Sequence, residues 1–147
     1  MQKQHATPRQ LGYLGLLPFM VSGLLAWIPE YHHFAIKSIT IYAAVIVTFI
    51  GGVHWGLAMQ ASKTSNDRDD PSIRNQFIFS VIPSLVAWLA VIMAQPYTLI
   101  ILAICFVSFW YWEKTTYNKA LENWYITLRN QLTLVATLFI VIAWISI

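Results

Sequence analysis

The chain has 147 residues, of which 58% are hydrophobic and 10% are charged, and its mean hydropathy is +0.59. Soluble domains carry about 25% charged residues, so this composition argues against a water-soluble domain and favours an integral membrane protein. The net charge of +3, without a strongly basic run, argues against nucleic-acid binding, and the single cysteine excludes an internal disulfide or a cysteine-based metal cluster.

Stretches without Asp, Glu, Lys or Arg divide the chain, and each predicts one transmembrane helix. In chain order they are residues 11–28, 38–60, 77–95, 97–112 and 130–147. At 1.5 Å per residue, each crosses or nearly crosses a hydrocarbon layer of roughly 30 Å. Backbone polar groups in lipid must bond within their own segment, so these stretches are expected to be helical. The predicted fold is an all-α, polytopic membrane bundle of about five transmembrane helices in a single domain, 1–147.

Lysine and arginine are distributed unevenly between the predicted connections. Eight of them lie in the N-terminal segment and in the loops 61–76 and 113–129, whereas the other side carries only Lys37. This bias predicts a cytoplasmic N-terminus and an outside C-terminus. The first stretch has no signal-peptide cleavage site and is expected to be retained as a helix.

The two predicted cytoplasmic loops differ in character. The polar loop 61–76 contains Asp70 followed by Pro71, which predicts a helix N-cap and a proline at the first helical position. The loop 113–129 carries aromatic and leucine residues at spacings of three and four. It is predicted to be either a short helix in the headgroup layer or an ordinary loop with aromatic anchors.

Small residues recur every four positions along the second predicted helix. Such a stripe lets another helix approach closely in lipid. It predicts either packing against a neighbouring helix of the same chain or association with another chain. The stripe consists of Ala44, Thr48, Gly52 and Gly56.

Apart from Cys105 and the tyrosines, His54 is the one titratable side chain within the predicted spans. It lies six residues before Gln60 and hence about 9 Å inside the cytoplasmic boundary. An ionisable group at that depth suggests a functional site, while the alternative is a neutral imidazole that bonds across the bundle. The other histidines lie at different depths, and no carboxylate falls within a predicted span. No metal or other cofactor is therefore expected.

Other polar side chains fall at a depth similar to that of His54 if the helices alternate as the charges require. We expect these residues to converge with His54 into a candidate functional polar cluster. Each also has a structural explanation, such as an interfacial aromatic or a snorkelling charge. The sequence shows no nucleophile–base pair or paired carboxylates, so no catalytic residue is assigned. The further members are Tyr13, Ser80, Ser84, Glu113 and Arg129.

Four ordered motifs resemble a known family. They are Leu11-Gly12-Tyr13-x-Gly15-x-x-Pro18-Phe19, Phe49-x-Gly51-Gly52-x-His54-Trp55-Gly56, Pro83-Ser84-Leu85-x-Ala87-Trp88 and Asn123-Trp124-Tyr125-x-x-Leu128-Arg129-x-x-Leu132-Thr133. Over roughly residues 10–140, the chain resembles the family called domain of unknown function 3429. Relatives usually have proline where Asn123 stands here. The resemblance implies a multi-helix protein of the bacterial inner membrane, or of mitochondria in eukaryotes, without an established activity.

Three functions are compatible with these features. The first is a non-enzymatic accessory or assembly factor that contacts the lipid bilayer and another membrane protein or a second copy of itself. The alternative is a small oligomeric transporter or channel with His54 in a cytoplasm-facing polar cavity, and the third is a lipid-acting enzyme. A polar cavity around His54 would favour transport or catalysis, whereas tight packing there would favour the accessory role.

Overall fold

The computed structural model describes residues 6–64, 70–117 and 122–147, and these residues form six α-helices. The last four helices are long and apolar enough to cross a membrane, which confirms the predicted all-α bundle of a multi-pass membrane protein. In chain order the helices are α1 (Ala6–Leu14), α2 (Leu17–Leu25), α3 (His32–Thr64), α4 (Pro71–Ile92), α5 (Tyr97–Tyr117) and α6 (Asn123–Ile145).

The predicted helix at 11–28 corresponds to two shorter helices, α1 and α2. They are separated at Gly15 and Leu16, where the Leu16 N–H bonds a carbonyl only three residues back. Pro18 has no N–H, and its ring would clash with the carbonyl four residues earlier, which disfavours a regular helix through this point. The Tyr42 hydroxyl of α3 donates a 2.9 Å hydrogen bond to the Gly15 carbonyl, which satisfies a polar group at the interruption.

The four long helices extend beyond the charge-free stretches that predicted them. Helix α3 has 33 residues, and α4 begins at Pro71 rather than at residue 77. The predicted cap of α4 is confirmed, because the Asp70 carboxylate accepts a hydrogen bond of 2.8 Å from the Ser72 N–H. Charged residues therefore do not mark the ends of these helices, which continue past them.

The segment 113–129 differs from both structures predicted for it. Residues 113–117 form the last part of α5, and residues 123–129 form the first turns of α6. Among the described residues of this pattern, Tyr117 lies at the end of α5, and Trp124 and Leu128 lie in the first turns of α6. Residues 65–69 and 118–121 of the two predicted cytoplasmic loops lie outside the described residues.

Buried aliphatic side chains from several helices form most of the core, which also contains a group of aromatic rings and one close helix crossing. The Phe19 ring of α2 lies edge-on to Tyr42 of α3, at 5.0 Å, and to Phe106 of α5, at 5.8 Å. Helices α3 and α4 approach so closely at Gly51 that an added Cβ would overlap the Ser80 carbonyl oxygen. This crossing fixes the part of α3 that carries His54.

Candidate functional site

Three ionisable side chains from three helices form a buried cluster. His54 of α3 is 0% exposed, Glu113 of α5 is 2% exposed and Arg129 of α6 is 8% exposed. We refer to these three residues as the ionic cluster. They lie toward the C-terminal ends of α3 and α5 and the N-terminal end of α6. This is the end of the bundle that the distribution of Lys and Arg predicts to be cytoplasmic.

Glu113 is the centre of the ionic cluster. Its Oε2 atom accepts a hydrogen bond from Arg129 Nε at 2.7 Å, and its Oε1 atom accepts one from the Tyr125 hydroxyl at 2.9 Å. Arg129 Nη1 also donates to Thr133 Oγ1, at 2.8 Å. Because residues four apart share a helix face, α6 presents Tyr125, Arg129 and Thr133 together. These contacts couple α6 to α5 through a fully buried carboxylate.

His54 completes the ionic cluster on the α3 side. Its Nε2 atom lies 3.3 Å from Glu113 Oε1, within ion-pair distance but without the angle of a hydrogen bond. Three aromatic rings surround the imidazole at centroid distances of 5.2, 5.2 and 5.3 Å, from Phe109, Trp112 and Tyr117 respectively. Aromatic edges and faces therefore separate the imidazole from lipid, and the Glu113 carboxylate is its polar neighbour.

Little open space adjoins the Glu113 carboxylate. The cavity beside Glu113 and Arg129 has a volume of about 10 Å³, which is close to the minimum needed for one water molecule. Among the residues that the structure describes, no three His, Cys, Asp or Glu side chains come together as possible metal ligands. This cavity can hold one water molecule at most, whereas the larger, mainly apolar space that Tyr125 and Arg129 also line has a volume of about 450 Å³.

Three of the six predicted cluster residues lie elsewhere. Tyr13 donates a hydrogen bond of 2.5 Å to Gln131 Oε1 at the surface. Ser80 donates to the Phe77 carbonyl of its own helix, at 2.7 Å. Ser84 lies with Ser80 at the α3–α4 crossing beside Gly51. The structure therefore joins His54, Glu113 and Arg129 and leaves the other three predicted residues in ordinary structural roles.

Sequence reasoning missed two features of the ionic cluster. It placed Glu113 beyond the end of a span, whereas α5 continues to Tyr117 and buries the carboxylate. It also omitted Tyr125, the second hydrogen-bond donor to that carboxylate. The spacing of Tyr125, Arg129 and Thr133 by four residues is the signal that could have identified a polar face on α6.

The small-residue stripe faces outward from the bundle. Ala44 is half-buried, whereas Thr48, Gly52 and Gly56 are exposed. A Cβ atom added at Gly52 or Gly56 would meet nothing within 4 Å among the described residues. The close packing within the chain occurs one residue earlier, at Gly51. Of the two predictions for this stripe, packing against a helix of the same chain does not fit the structure at these two glycines.

Comparison with known proteins agrees with the motifs and the fold. Residues 4–145 match the family described as protein of unknown function (DUF3429). The chain is 30% identical over 134 residues to transmembrane protein 69 of Xenopus tropicalis, and the match covers 89% of this chain and 51% of that relative. The chain thus spans about half the length of this relative, and no solved structure matches it. Because the family match covers nearly the whole sequence, the chain belongs to the DUF3429 family, whose function is unknown.

Proposed function

We propose that this membrane protein is a non-enzymatic accessory or assembly factor that packs through α3 against another membrane protein. The observation that carries the proposal is the outward position of Gly52 and Gly56. A Cβ atom added at either glycine would meet no described atom within 4 Å. In lipid, helix association depends on close van der Waals packing, and exposed small residues allow it. From Ala44 to Gly56 the stripe extends for about 18 Å along the helix axis, which is enough for several turns of a partner helix.

The ionic cluster supports the same proposal because it resembles an internal connection more than a reaction site. Glu113 joins α5 to α6 and approaches His54 of α3. Breaking such a pair inside a membrane is costly, so the cluster holds the three helices in a fixed arrangement. A rigid bundle with one smooth outward face is suited to lateral packing.

The transporter and enzyme alternatives receive less support from the geometry. A transporter that uses His54 needs a polar passage to it, and an enzyme needs room for a substrate. His54 is instead fully buried among aromatic rings, and the cavity beside Glu113 is about 10 Å³. The larger, mainly apolar space that Arg129 lines is lined by neither His54 nor Glu113. Access of a solute or substrate to His54 or Glu113 would therefore require a conformation in which the helices separate around these two residues.

The proposed location is the cytoplasmic membrane of a bacterium, or the mitochondrial inner membrane in a eukaryote, with the N-terminus on the cytoplasmic or matrix side. The observation behind the orientation is the concentration of Lys and Arg on one side of the bundle. In this orientation the ionic cluster lies in the cytoplasmic half of the membrane.

The proposal can be tested by native mass measurement of the protein extracted directly into lipid discs. We expect a complex that contains a different membrane subunit, and we expect Gly52→Leu and Gly56→Leu to release that subunit because a leucine side chain would hold the two helices apart. Ser108→Leu is the matched control, since Ser108 is also small and exposed but lies on α5.

Two results would contradict the accessory role. One is a complex that survives both glycine substitutions unchanged. The other is an assembly made of this chain alone, which would instead favour the oligomeric transporter and make His54 the residue to change.

A further inference from the structure

An apolar groove lies between the α1–α2 pair, α3 and α6. Its volume is about 450 Å³, within the range of roughly 300–1,000 Å³ that is typical of small-molecule sites. Hydrophobic side chains and two glycines form most of its wall, so a water-soluble polar ligand would lose its hydration there without replacement. Representative lining residues are Gly12, Phe19, Phe49, Val53, Leu132 and Ala136.

The length of the groove matches one leaflet of a bilayer. Along α6 its lining residues run from Trp124 to Ala136, a distance of about 18 Å at 1.5 Å per residue. Half of a hydrocarbon layer of roughly 30 Å is about 15 Å. The groove begins near the N-terminal end of α6 and ends near the middle of that helix. An acyl chain likewise extends from the headgroup level to the middle of the bilayer.

One end of the groove is polar. Arg129 and Tyr125 contribute to its wall, and the Arg129 Nη2 atom is buried without a hydrogen-bond partner among the described residues. A buried donor without an acceptor is unfavourable, because the hydration that it loses on burial is not replaced. Arg129 therefore retains the capacity to donate to a ligand while its Nε remains bonded to Glu113.

The mouth of the groove carries a further cation. The Arg9 guanidinium lies over the Trp124 ring, 5.9 Å from its centroid, and both Trp124 and the neighbouring Pro8 line the groove. The Trp124 indole N–H donates to the Glu122 carboxylate at the same level. Tryptophan and arginine at this position are typical of the level of lipid headgroups.

We infer that the groove binds a phospholipid of this leaflet, with one acyl chain along the apolar wall and the phosphate at the Arg129 end, where it pairs with the guanidinium. The apolar length accounts for the chain, and the unpartnered guanidinium donor accounts for the headgroup. Gly52 and Gly56 do not line the groove, so this site is independent of the proposed packing face on α3.

The test uses the full-length protein in phosphatidylcholine vesicles that contain a phosphatidylglycerol with a photoactivatable diazirine in one acyl chain. After irradiation, the labelled residues are mapped by mass spectrometry. We expect the label to concentrate on groove residues such as Phe49, Val53 and Leu132. Label spread evenly over outward-facing residues such as Leu134 and Leu138 would overturn the proposal.

Two valine substitutions separate a specific site from general lipid contact. Val53 and Val141 are both 37% exposed, but only Val53 lines the groove. Val53→Trp should fill the groove and remove most of the groove labelling, whereas Val141→Trp should leave it unchanged. Neither residue belongs to the ionic cluster, and thermal unfolding of both variants verifies that they are folded. Equal labelling in the two variants would overturn the proposal.

The role of Arg129 is tested with a second probe that lacks phosphate. A diacylglycerol with the same diazirine chain should label the groove of the wild-type protein less than the phospholipid does. Arg129→Lys keeps the positive charge but loses the planar set of donors, and it should reduce the difference between the two probes. If the wild-type protein does not distinguish the probes, the phosphate contact is wrong.

Discussion

Glu113 and Arg129 lie sixteen residues apart in the sequence and form a buried ion pair, with Arg129 Nε 2.7 Å from Glu113 Oε2. Glu113 is near the end of α5, and Arg129 is near the beginning of α6. Each charge compensates the other in a region where water is scarce. Removal of one partner therefore leaves an uncompensated buried charge, which costs more than the pair itself contributes.

Glu113→Gln should lower the free energy of unfolding by about 3–5 kcal/mol, because the Arg129 guanidinium then lacks its counter-charge. The measurement is reversible unfolding in mixed micelles, followed by far-UV circular dichroism. The control is the double variant Glu113→Gln/Arg129→Gln, which removes both charges and should be less destabilised than the sum of the single variants. Additive losses would show that the two side chains are not coupled.

Tyr125→Phe should destabilise the protein by about 1.5–3 kcal/mol, because the Glu113 carboxylate loses a charge-assisted hydrogen bond of 2.9 Å. Tyr13→Phe is the matched control, since it removes an exposed hydrogen bond to Gln131 and should change stability by no more than about 0.5 kcal/mol. Both variants are compared in the same unfolding assay. Equal effects would contradict the structural role assigned to Tyr125.

Two adjacent glycines should respond in opposite ways to alanine. In Gly51→Ala the new Cβ would overlap the Ser80 carbonyl of α4, and the required backbone shift should cost about 1–3 kcal/mol. In Gly52→Ala the new Cβ enters open space. Because alanine has the higher helix propensity, the isolated variant should be at least as stable as the wild-type chain, by up to about 1 kcal/mol. Thermal unfolding of the purified protein measures both, and a larger loss at Gly52 would contradict the packing of α3 on α4.

The orientation of the chain can be tested by cysteine accessibility. In a Cys105→Ser background, Ser62→Cys places a thiol at the C-terminal end of α3, and Glu30→Cys places one before its N-terminal end; both positions are exposed. With the N-terminus in the cytoplasm, an impermeant maleimide added to intact cells should label residue 30 and should label residue 62 only after the membrane is opened. The reverse pattern would invert the proposed topology.

The structural predictions that the structure confirms are those that depend on residues close together in the sequence. The charge-free stretches located α3 to α6 because a helix in lipid requires a long apolar surface, and Asp70 identified the cap of α4 because its carboxylate bonds a nearby backbone N–H. The sequence predicted one continuous helix at 11–28 and missed the interruption before Pro18, because a proline does not always end a helix: α4 continues through Pro83. The contact that accommodates the interruption comes from Tyr42, a residue of another helix.

The contacts of the candidate site depend on how the helices pack. His54, Glu113 and Arg129 were all identifiable from the sequence as polar residues at similar depth. The burial of Glu113 between the other two was not, because a carboxylate at the end of a charge-free stretch resembles a surface residue. Three different helices supply the ionic cluster, and their rotation about their own axes determines which side chains face inward.

The sequence by itself determined that this is a helical membrane protein, because composition and the length of apolar stretches control insertion into lipid. Only the tertiary structure decided that Glu113 is buried between His54 and Arg129, that Gly51 packs inside the bundle and that Gly52 faces outward. The physical reason is that one residue along a helix is a rotation of about 100°. The surroundings of neighbouring residues are therefore set by the positions of the other helices.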